Sequence, residues 1–385
     1  MKPLRVLHLT ASPFFGGPER VILDIVRTQA DPEFGVRSFV ASFSENGNSR
    51  SFMEELEKAD FPRRVLQYDT PRLVAAMSEL VRLLRDEKID VLCVHGHKAR
   101  MVGWFAAKRV GIPIVTVSHG WTWQDWKTSI YERIDQWMHR RMDCIVCVSQ
   151  GQADKVIRAG TPKNRVVVIH NAVDLGRFDA PPNAEYRRRL EKYFDSPPQL
   201  IVGAAGRLSP EKGFDVLIDA VKTATDRSFG VVLFGDGFLR EQLQARIDAA
   251  GIADRFKLAG FTDELDKFLP WFDVFVQSSH TEGFPCVNIE AMACRVPILA
   301  TSVGGVPEQI EPERNGLLVP PNDPGALAAA LERLLGDGNL RKRFGDESRH
   351  RVETEFTCRE QARKYYDVFS AQSTKRKQVK NFPEK

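Results

Sequence analysis

Ser278-Ser279-His280-Thr281-Glu282-Gly283-Phe284-Pro285-Cys286-Val287-Asn288-Ile289-Glu290-Ala291-Met292-Ala293 is the stretch on which the reading of this chain turns. Ahead of it, Asp273-Val274-Phe275-Val276 has the apolar, β-branched character of a short buried strand. Behind the loop, Pro285 suits the first position of a helix, and Val287 to Cys294 continue as a mostly apolar helical run. A strand, a tight glycine-bearing loop and a helix start form an anion site, because unpaired N–H groups and the positive end of the helix dipole converge there. Glu282 lies in the loop, and Glu290 falls about 7 Å along the helix axis with its side chain tilted back toward the N-terminus. Two carboxylates therefore bracket a backbone suited to phosphate. A ligand with an anionic middle and hydroxyls at both ends, such as a sugar nucleotide, fits that pattern. Two glutamates with seven residues between them are common in any helical protein, so the rest of the chain must agree.

At 385 residues the chain is too long for one ordinary core and suits two domains. Its 28% charged and 43% hydrophobic residues are those of a globular protein. No apolar run approaches the roughly 18 residues that span a bilayer, and Leu4–Leu9 reads directly as a strand rather than a signal segment. A cytoplasmic address is the expectation. The formal charge is +4, and residues 372–385 alone carry +4, from Lys375, Arg376, Lys377, Lys380 and Lys385 against Glu384. The remainder is close to neutral, which argues against a nucleic-acid partner. The basic tail reads as disordered, with weak attraction to an anionic membrane surface. Cys144 and Cys147 have the spacing of a metal or redox pair. Residues three apart on a strand face opposite ways, however, and buried reduced thiols are the favoured reading.

Along the chain, strands alternate with helical runs as in parallel sheets with crossovers. Arg5–Leu9 leads into Gly16-Gly17-Pro18-Glu19 and a helix over Arg20–Ala30, a turn where backbone can approach a ligand. It is not the Gly-x-Gly-x-x-Gly dinucleotide fingerprint, which a nicotinamide dehydrogenase would need. Val91–His95 brings His95 and His97 to the carboxyl end of a strand, where ligands bind in open α/β sheets. Two histidines without a third ligand nearby favour a polar pair over zinc. Pro113–Ser118 ends in His119-Gly120, followed by Trp121, Trp123 and Trp126 in a loop. These indoles fit packing and sugar stacking equally well. In the second half, Leu200–Ala204 runs into Gly206-Arg207-Leu208 and then Glu211-Lys212-Gly213 before a helix from Phe214. Arginine offers planar donors to phosphate oxygens and lysine a point charge, so this segment reads as a phosphate clamp. Gly235-Asp236-Gly237 and Gly260-Phe261 follow two further strands, and Asp323-Pro324 has the form of a helix start.

Taken together, Glu282-Gly283-Phe284-Pro285 with Glu290-Ala291-Met292-Ala293, and Gly206-Arg207-Leu208 with Lys212-Gly213 placed 75 residues earlier, resemble the donor motifs of retaining family-four glycosyltransferases. Gly16-Gly17-Pro18-Glu19, His119, the Gly304-Gly305-Val306-Pro307-Glu308 loop and Asn171-Ala172-Val173-Asp174 fit the same family, with Ala172 in place of its usual glycine. The resemblance covers nearly the whole chain except the tail. It implies the α/β GT-B architecture, two facing Rossmann-like domains with the active site in the cleft between them. Residues 1–177, with a crossover helix near 357–371, would form the acceptor-side domain, and residues 198–356 the nucleotide-sugar domain.

The resemblance further implies transfer of a sugar from a UDP- or GDP-linked donor to an acceptor hydroxyl with retention of configuration. The products would belong to envelope polysaccharide, lipopolysaccharide or glycolipid. His119, Glu282, Arg207 and Lys212 would serve catalysis. Gly16, Gly17, Gly235, Gly237, Gly260, Gly283, Phe284, Cys286, Val287 and Glu290 would join Arg207, Lys212 and Glu282 in holding the donor. His97, Arg100, Trp121, Trp123 and Trp126 would meet a glycan or lipid-linked acceptor, at the inner membrane face. There is no Asp-x-Asp, the usual metal–diphosphate carboxylate pair, so no metal and no cofactor beyond the donor are expected. A sugar-nucleotide epimerase of the same architecture is the alternative; an idle scaffold would not need Glu282, Arg207 and Lys212 together.

Overall fold

The structure is a computed structural model, and it describes residues 2–11, 16–47, 49–120 and 136–381. The chain divides into two compact units. One gathers the described residues up to Asn171 together with those from Cys358 onward, and the other holds Ala172–Thr357.

In the first unit the chain runs β1 (Leu4–Thr10), α1 (Gly17–Gln29), β2 (Val36–Ser42), α2 (Arg50–Lys58), β3 (Arg63–Val65) and α3 (Leu73–Asp86). It continues through β4 (Val91–His95), α4 (His97–Val110), β5 (Ile114–Ser118), β6 (Cys144–Cys147), α5 (Gln150–Arg158) and β7 (Val166–Val168). The seven strands pair in parallel in the order β3-β2-β1-β4-β5-β6-β7. Every residue of β4, β5 and β6 is buried, which is why these strands read as unbroken apolar runs rather than alternating ones. Leu7, Leu9, Leu92, Val94, Ile114 and Ile145 form one face of the sheet, closed by Leu80, Leu84, Val102 and Ala106 from α3 and α4.

The second unit contains α6 (Ala184–Glu191), β8 (Leu200–Ala205), α7 (Phe214–Thr223), β9 (Phe229–Phe234), α8 (Arg240–Ala250) and β10 (Phe256–Gly260). After these come β11 (Val274–Gln277), α9 (Cys286–Ala293), β12 (Ile298–Thr301), β13 (Gly316–Val319), α10 (Pro324–Gly336) and α11 (Gly338–Glu355). Its six parallel strands are ordered β10-β9-β8-β11-β12-β13. The expected start at Asp323-Pro324 is present: the Ala326 N–H donates to Asp323 Oδ1 at 2.8 Å, capping α10. The unit begins earlier than the sequence suggested. The Val173 N–H donates to the Phe356 carbonyl at 3.0 Å and Val173 bridges Thr357 in parallel, which draws residues 172–177 to this side.

The last described element is α12 (Cys358–Asn381), which packs on α1; Gln29 Nε2 donates to the Ala362 carbonyl at 3.0 Å. This corrects the expected tail. Residues 372–381 continue the helix, and Ser373 is buried one turn on from the buried Phe369.

In both sheets the strand order reverses once, between β1 and β4 and between β8 and β11. Loops leaving the carboxyl ends of strands on either side of such a reversal diverge and leave room for a ligand. Glycines 16 and 17 follow β1, and His97 follows β4; Arg207 follows β8, and Glu282 follows β11.

Candidate functional site

The second unit brings its predicted residues together at the β8/β11 reversal. Glu282 Oε1 accepts three hydrogen bonds: from Lys212 Nζ at 2.7 Å, from Gln277 Nε2 at 2.9 Å and from Ser279 Oγ at 2.7 Å. All three converge on one oxygen, and no described residue donates to Oε2, so the carboxylate is held through one oxygen alone. Lys212 ends the short turn Pro210–Lys212, and Arg207 projects with 56% of its side chain exposed, within 3.8 Å of the buried Glu211. Arg207 is therefore a cation reaching outward, whereas Lys212 is already neutralised by Glu282. The two are unlike members of the predicted clamp.

Backbone packing fixes this end of the sheet. The Gly235 N–H donates to the Gly260 carbonyl at 2.8 Å, and the Leu208 N–H donates to the carbonyl of Asp236, between Gly235 and Gly237, at 2.9 Å. At Gly235, with φ +138°, a Cβ would lie 1.9 Å from the Gly206 carbonyl oxygen, so only glycine lets the β8 and β9 loops meet. Gly304 does the same for the carboxylate loop. A Cβ there would strike the Glu282 carbonyl at 1.7 Å, and the next amide, of Gly305, donates to the Gly283 carbonyl at 3.0 Å.

Helix α9 starts at Cys286 with Pro285 at its N-cap, one residue later than Pro285 as first helical residue would give. Cys286 and Val287 are partly exposed in its first turn. Phe284, expected to help hold the donor, is buried, and its ring packs edge-on against Phe356, centroids 5.4 Å apart. Glu290, the fifth residue of α9, lies 3.5 Å from Arg177, which also reaches Asp266 at 3.5 Å. Arg177 is a neighbour the sequence reading missed; nothing local marks it, since it sits 113 residues away.

In the first unit, the Gly16 N–H donates to the Glu19 carboxylate at 3.0 Å, which holds the start of α1 just after the described end of β1; Gly17 is exposed. His97 begins α4 and is exposed. Arg100 is corrected. It is 3% exposed, its Nε donates to Thr116 Oγ1 at 2.8 Å, and burial pulls its pKa down to about 9. One helical turn beyond His97, its side chain points into the sheet and serves the interior rather than an acceptor. Trp121, Trp123 and Trp126 lie outside the described residues.

The sequence paired His95 with His97, but parallel register pairs β4 with β1 and gives His95 other partners. His8 Nδ1 and His95 Nε2 share a hydrogen bond of 3.3 Å, and Cys93 Sγ lies 3.6 Å from the same His95 nitrogen. The ring centroids are 5.5 Å apart, well beyond the 3.3 Å N···N distance, so the imidazoles meet edge to edge. Their ligand-type atoms lie within 4.8 Å of one another. Metal-bound imidazoles usually place the distal N–H on a carboxylate or carbonyl. His8 Nε2 and His95 Nδ1 are instead buried without a partner among the described residues, as a hydrogen-bonded neutral pair would leave them. Burial lowers the pKa of His8 to about 4 and that of His95 well below its ordinary value, and it pushes the Cys93 thiol up. His119 lies beside His95, centroids 6.0 Å apart, and burial with the nearby Arg100 charge also brings it to about 4. At neutral pH His119 is therefore an uncharged donor or acceptor rather than a cation.

Residues 187–351 match the model for glycosyl transferases group 1, and residues 15–177 match that for glycosyltransferase family 4. A D-inositol 3-phosphate glycosyltransferase of Xylanimonas cellulosilytica is 30% identical over 349 residues, 84% of this chain and 80% of the relative. The lipopolysaccharide core biosynthesis glycosyltransferase LpsE of Rhizobium meliloti is 33% identical over 220 residues, 57% of this chain and 61% of its own length. Among solved structures, Anabaena HepE in complex with UDP-glucose superposes with a TM-score of 0.84 at 23% identity, covering 96% of this chain and all of that one. Strand order, the glycine-laced loops and these matches agree: the chain belongs to the family-four glycosyltransferases of GT-B fold.

Proposed function

We propose that this chain is a retaining glycosyltransferase that moves a sugar from a UDP- or GDP-linked donor to an acceptor hydroxyl in the synthesis of an envelope glycan or glycolipid. The observation that carries the reading is the Glu282 carboxylate, pinned through Oε1 by Lys212, Gln277 and Ser279 with no described donor on Oε2, directly ahead of the first turn of α9. Hydroxyls of the donor sugar would bond Oε2, and the ribose would meet Glu290. As the glycosidic bond breaks, negative charge grows on the departing diphosphate, and Arg207, Lys212 and the N–H groups of α9 would stabilise it. With Glu282 given to the sugar hydroxyls, the proposed course is attack from the face of the leaving group, with the leaving phosphate taking the acceptor proton. His119, neutral at pH 7, would support the sugar or the phosphate by hydrogen bonding.

The relatives named above are transferases, which favours transfer over epimerisation, and HepE binds UDP-glucose. LpsE acts in lipopolysaccharide core synthesis, and that relation supports an envelope acceptor. Among the described residues no helix is long and apolar enough to cross a membrane. Weak peripheral contact through Lys375 and Arg376 of α12 would bring a lipid-linked acceptor within reach. The test is a matrix of UDP- and GDP-sugars against lipid-linked and soluble acceptors, with the anomeric configuration of the product read by NMR. An inverted product would overturn retention, and epimerised donor without transfer would favour the alternative.

A further inference from the structure

The hydrogen bonds on Glu282 continue inward. Gln277 Oε1 accepts from Asn288 Nδ2 at 2.8 Å, the same nitrogen donates to Gln309 Oε1 at 3.0 Å, and Gln309 Nε2 donates to the Pro285 carbonyl at 2.9 Å. Gln277 is 5% exposed, and Asn288 and Gln309 are fully buried. The two ends of this chain, a carboxylate and a backbone carbonyl, can only accept. Gln277 must therefore turn its NH₂ to Glu282 and its oxygen to Asn288, and Gln309 must turn its NH₂ to Pro285 and its oxygen to Asn288. The group between them has to donate twice from one atom. The Asn288 amide does so with both of its hydrogens; leucine donates none, serine one, and aspartate none when ionised. The orientation of all three amides follows from connectivity alone.

We infer that Asn288, acting through Gln277 and Gln309, is a positioning residue for the donor sugar. It ties the Glu282 carboxylate to the first turn of α9, so that the group holding sugar hydroxyls and the amides facing the diphosphate keep one fixed spacing. Pro285, whose carbonyl ends the network, is the N-cap of that helix. Ser279, a third donor to Glu282, is fixed from the other side by Thr301 Oγ1, which donates to its carbonyl at 2.6 Å. The inference rests on the sugar-holding role proposed for Glu282.

The experiment compares the full-length protein with Glu282→Ala, Asn288→Leu, Asn288→Asp and the triple variant Gln277→Leu/Asn288→Leu/Gln309→Leu. UDP and UDP-glucose, with GDP and GDP-mannose as the second probe pair, are titrated calorimetrically. Release of nucleoside diphosphate gives turnover, and thermal melting gives stability. Asn288→Leu strands two buried carbonyls and is expected to melt lower, to lose at least about tenfold in turnover, and to bind the bare diphosphate within twofold of wild type. The extra affinity conferred by the sugar should shrink. The triple variant removes both stranded side-chain carbonyls and takes from the Pro285 carbonyl only its Gln309 donor, so its melting temperature should rise above that of Asn288→Leu while its turnover stays depressed, because the Gln277 bond to Glu282 is gone. Recovery of turnover along with stability would make the network purely structural and overturn the inference. Asn288→Asp has the same shape without the donors, and wild-type turnover there would overturn it as well. Wild-type turnover in Glu282→Ala would instead overturn the sugar-holding role, and the inference with it.

Discussion

At the scale of single residues, the clamp divides into a cation already paired and one still exposed. Lys212 is bound to Glu282, so a diphosphate would share it, whereas Arg207 reaches outward past Glu211. Replacing either by alanine is expected to reduce turnover by about 10²-fold, by removing charge stabilisation that grows in the transition state. The two variants should differ in a second respect. Lys212→Ala also frees Glu282 to move and should weaken the sugar-dependent part of donor binding; Arg207→Ala should weaken bare diphosphate binding at least as much. Steady-state kinetics with calorimetry on UDP and UDP-glucose separates the two. The residue scale is also where the sequence was least sufficient. Arg100 and Phe284 have chemistry suited to a ligand, yet one meets Thr116 and the other Phe356, partners 16 and 72 residues away. Side-chain direction within a motif depends on packing that no local pattern records.

At the scale of elements, periodicity and punctuation carried most of the fold. Residues 73–86, 91–95 and the Asp323 cap stand where apolar spacing and turn residues put them, because each element buries a continuous face. What local pattern does not carry is register between strands distant in sequence. Pairing of β1 with β4 sets His8 opposite Cys93, next to His95, in a buried group that no motif announces. It faces His119 after β5, and Phe369 meets His8 from α12; Arg100 from α4 adds positive charge nearby. The consequence is measurable. His8 titrates near 4 when folded against about 6.5 unfolded, so its folded pKa is lowered and the unfolded chain binds the proton first. Its contribution to stability is complete above pH 6.5 and is lost as pH falls toward 4, amounting to about 3 kcal/mol over that window. Urea unfolding at pH 7, 5.5 and 4.5 should show that loss in wild type and a shallower fall in His8→Phe. At the same scale, Phe369→Ala, which empties a fully buried site on α12, should lower stability by about 3–5 kcal/mol.

At the scale of the whole molecule, the two parallel sheets with one order reversal each follow from the alternation of strands and helices, and Lys212 and Glu282 meet because their loops leave strands on either side of a reversal. The tail was not legible, since its run of polar and basic residues gives no apolar periodicity, yet α12 continues to Asn381 with Ser373 buried. The remaining prediction concerns donor binding by the intact chain in the absence of metal. Arg207, Lys212 and the α9 amides supply positive charge from protein groups, and the sequence offers no Asp-x-Asp to carry a cation to the diphosphate. A cognate nucleotide sugar at 100 times its Kd stabilises the folded state by about 2.7 kcal/mol. For a protein of this size that corresponds to a rise of at least about 2 °C in melting temperature. The rise should be the same with a chelator as with added magnesium, and turnover should follow it. Stabilisation and turnover that vanish with the chelator and return with magnesium or manganese would place a cation at the diphosphate. The protein clamp would then be a partner to the metal rather than its substitute.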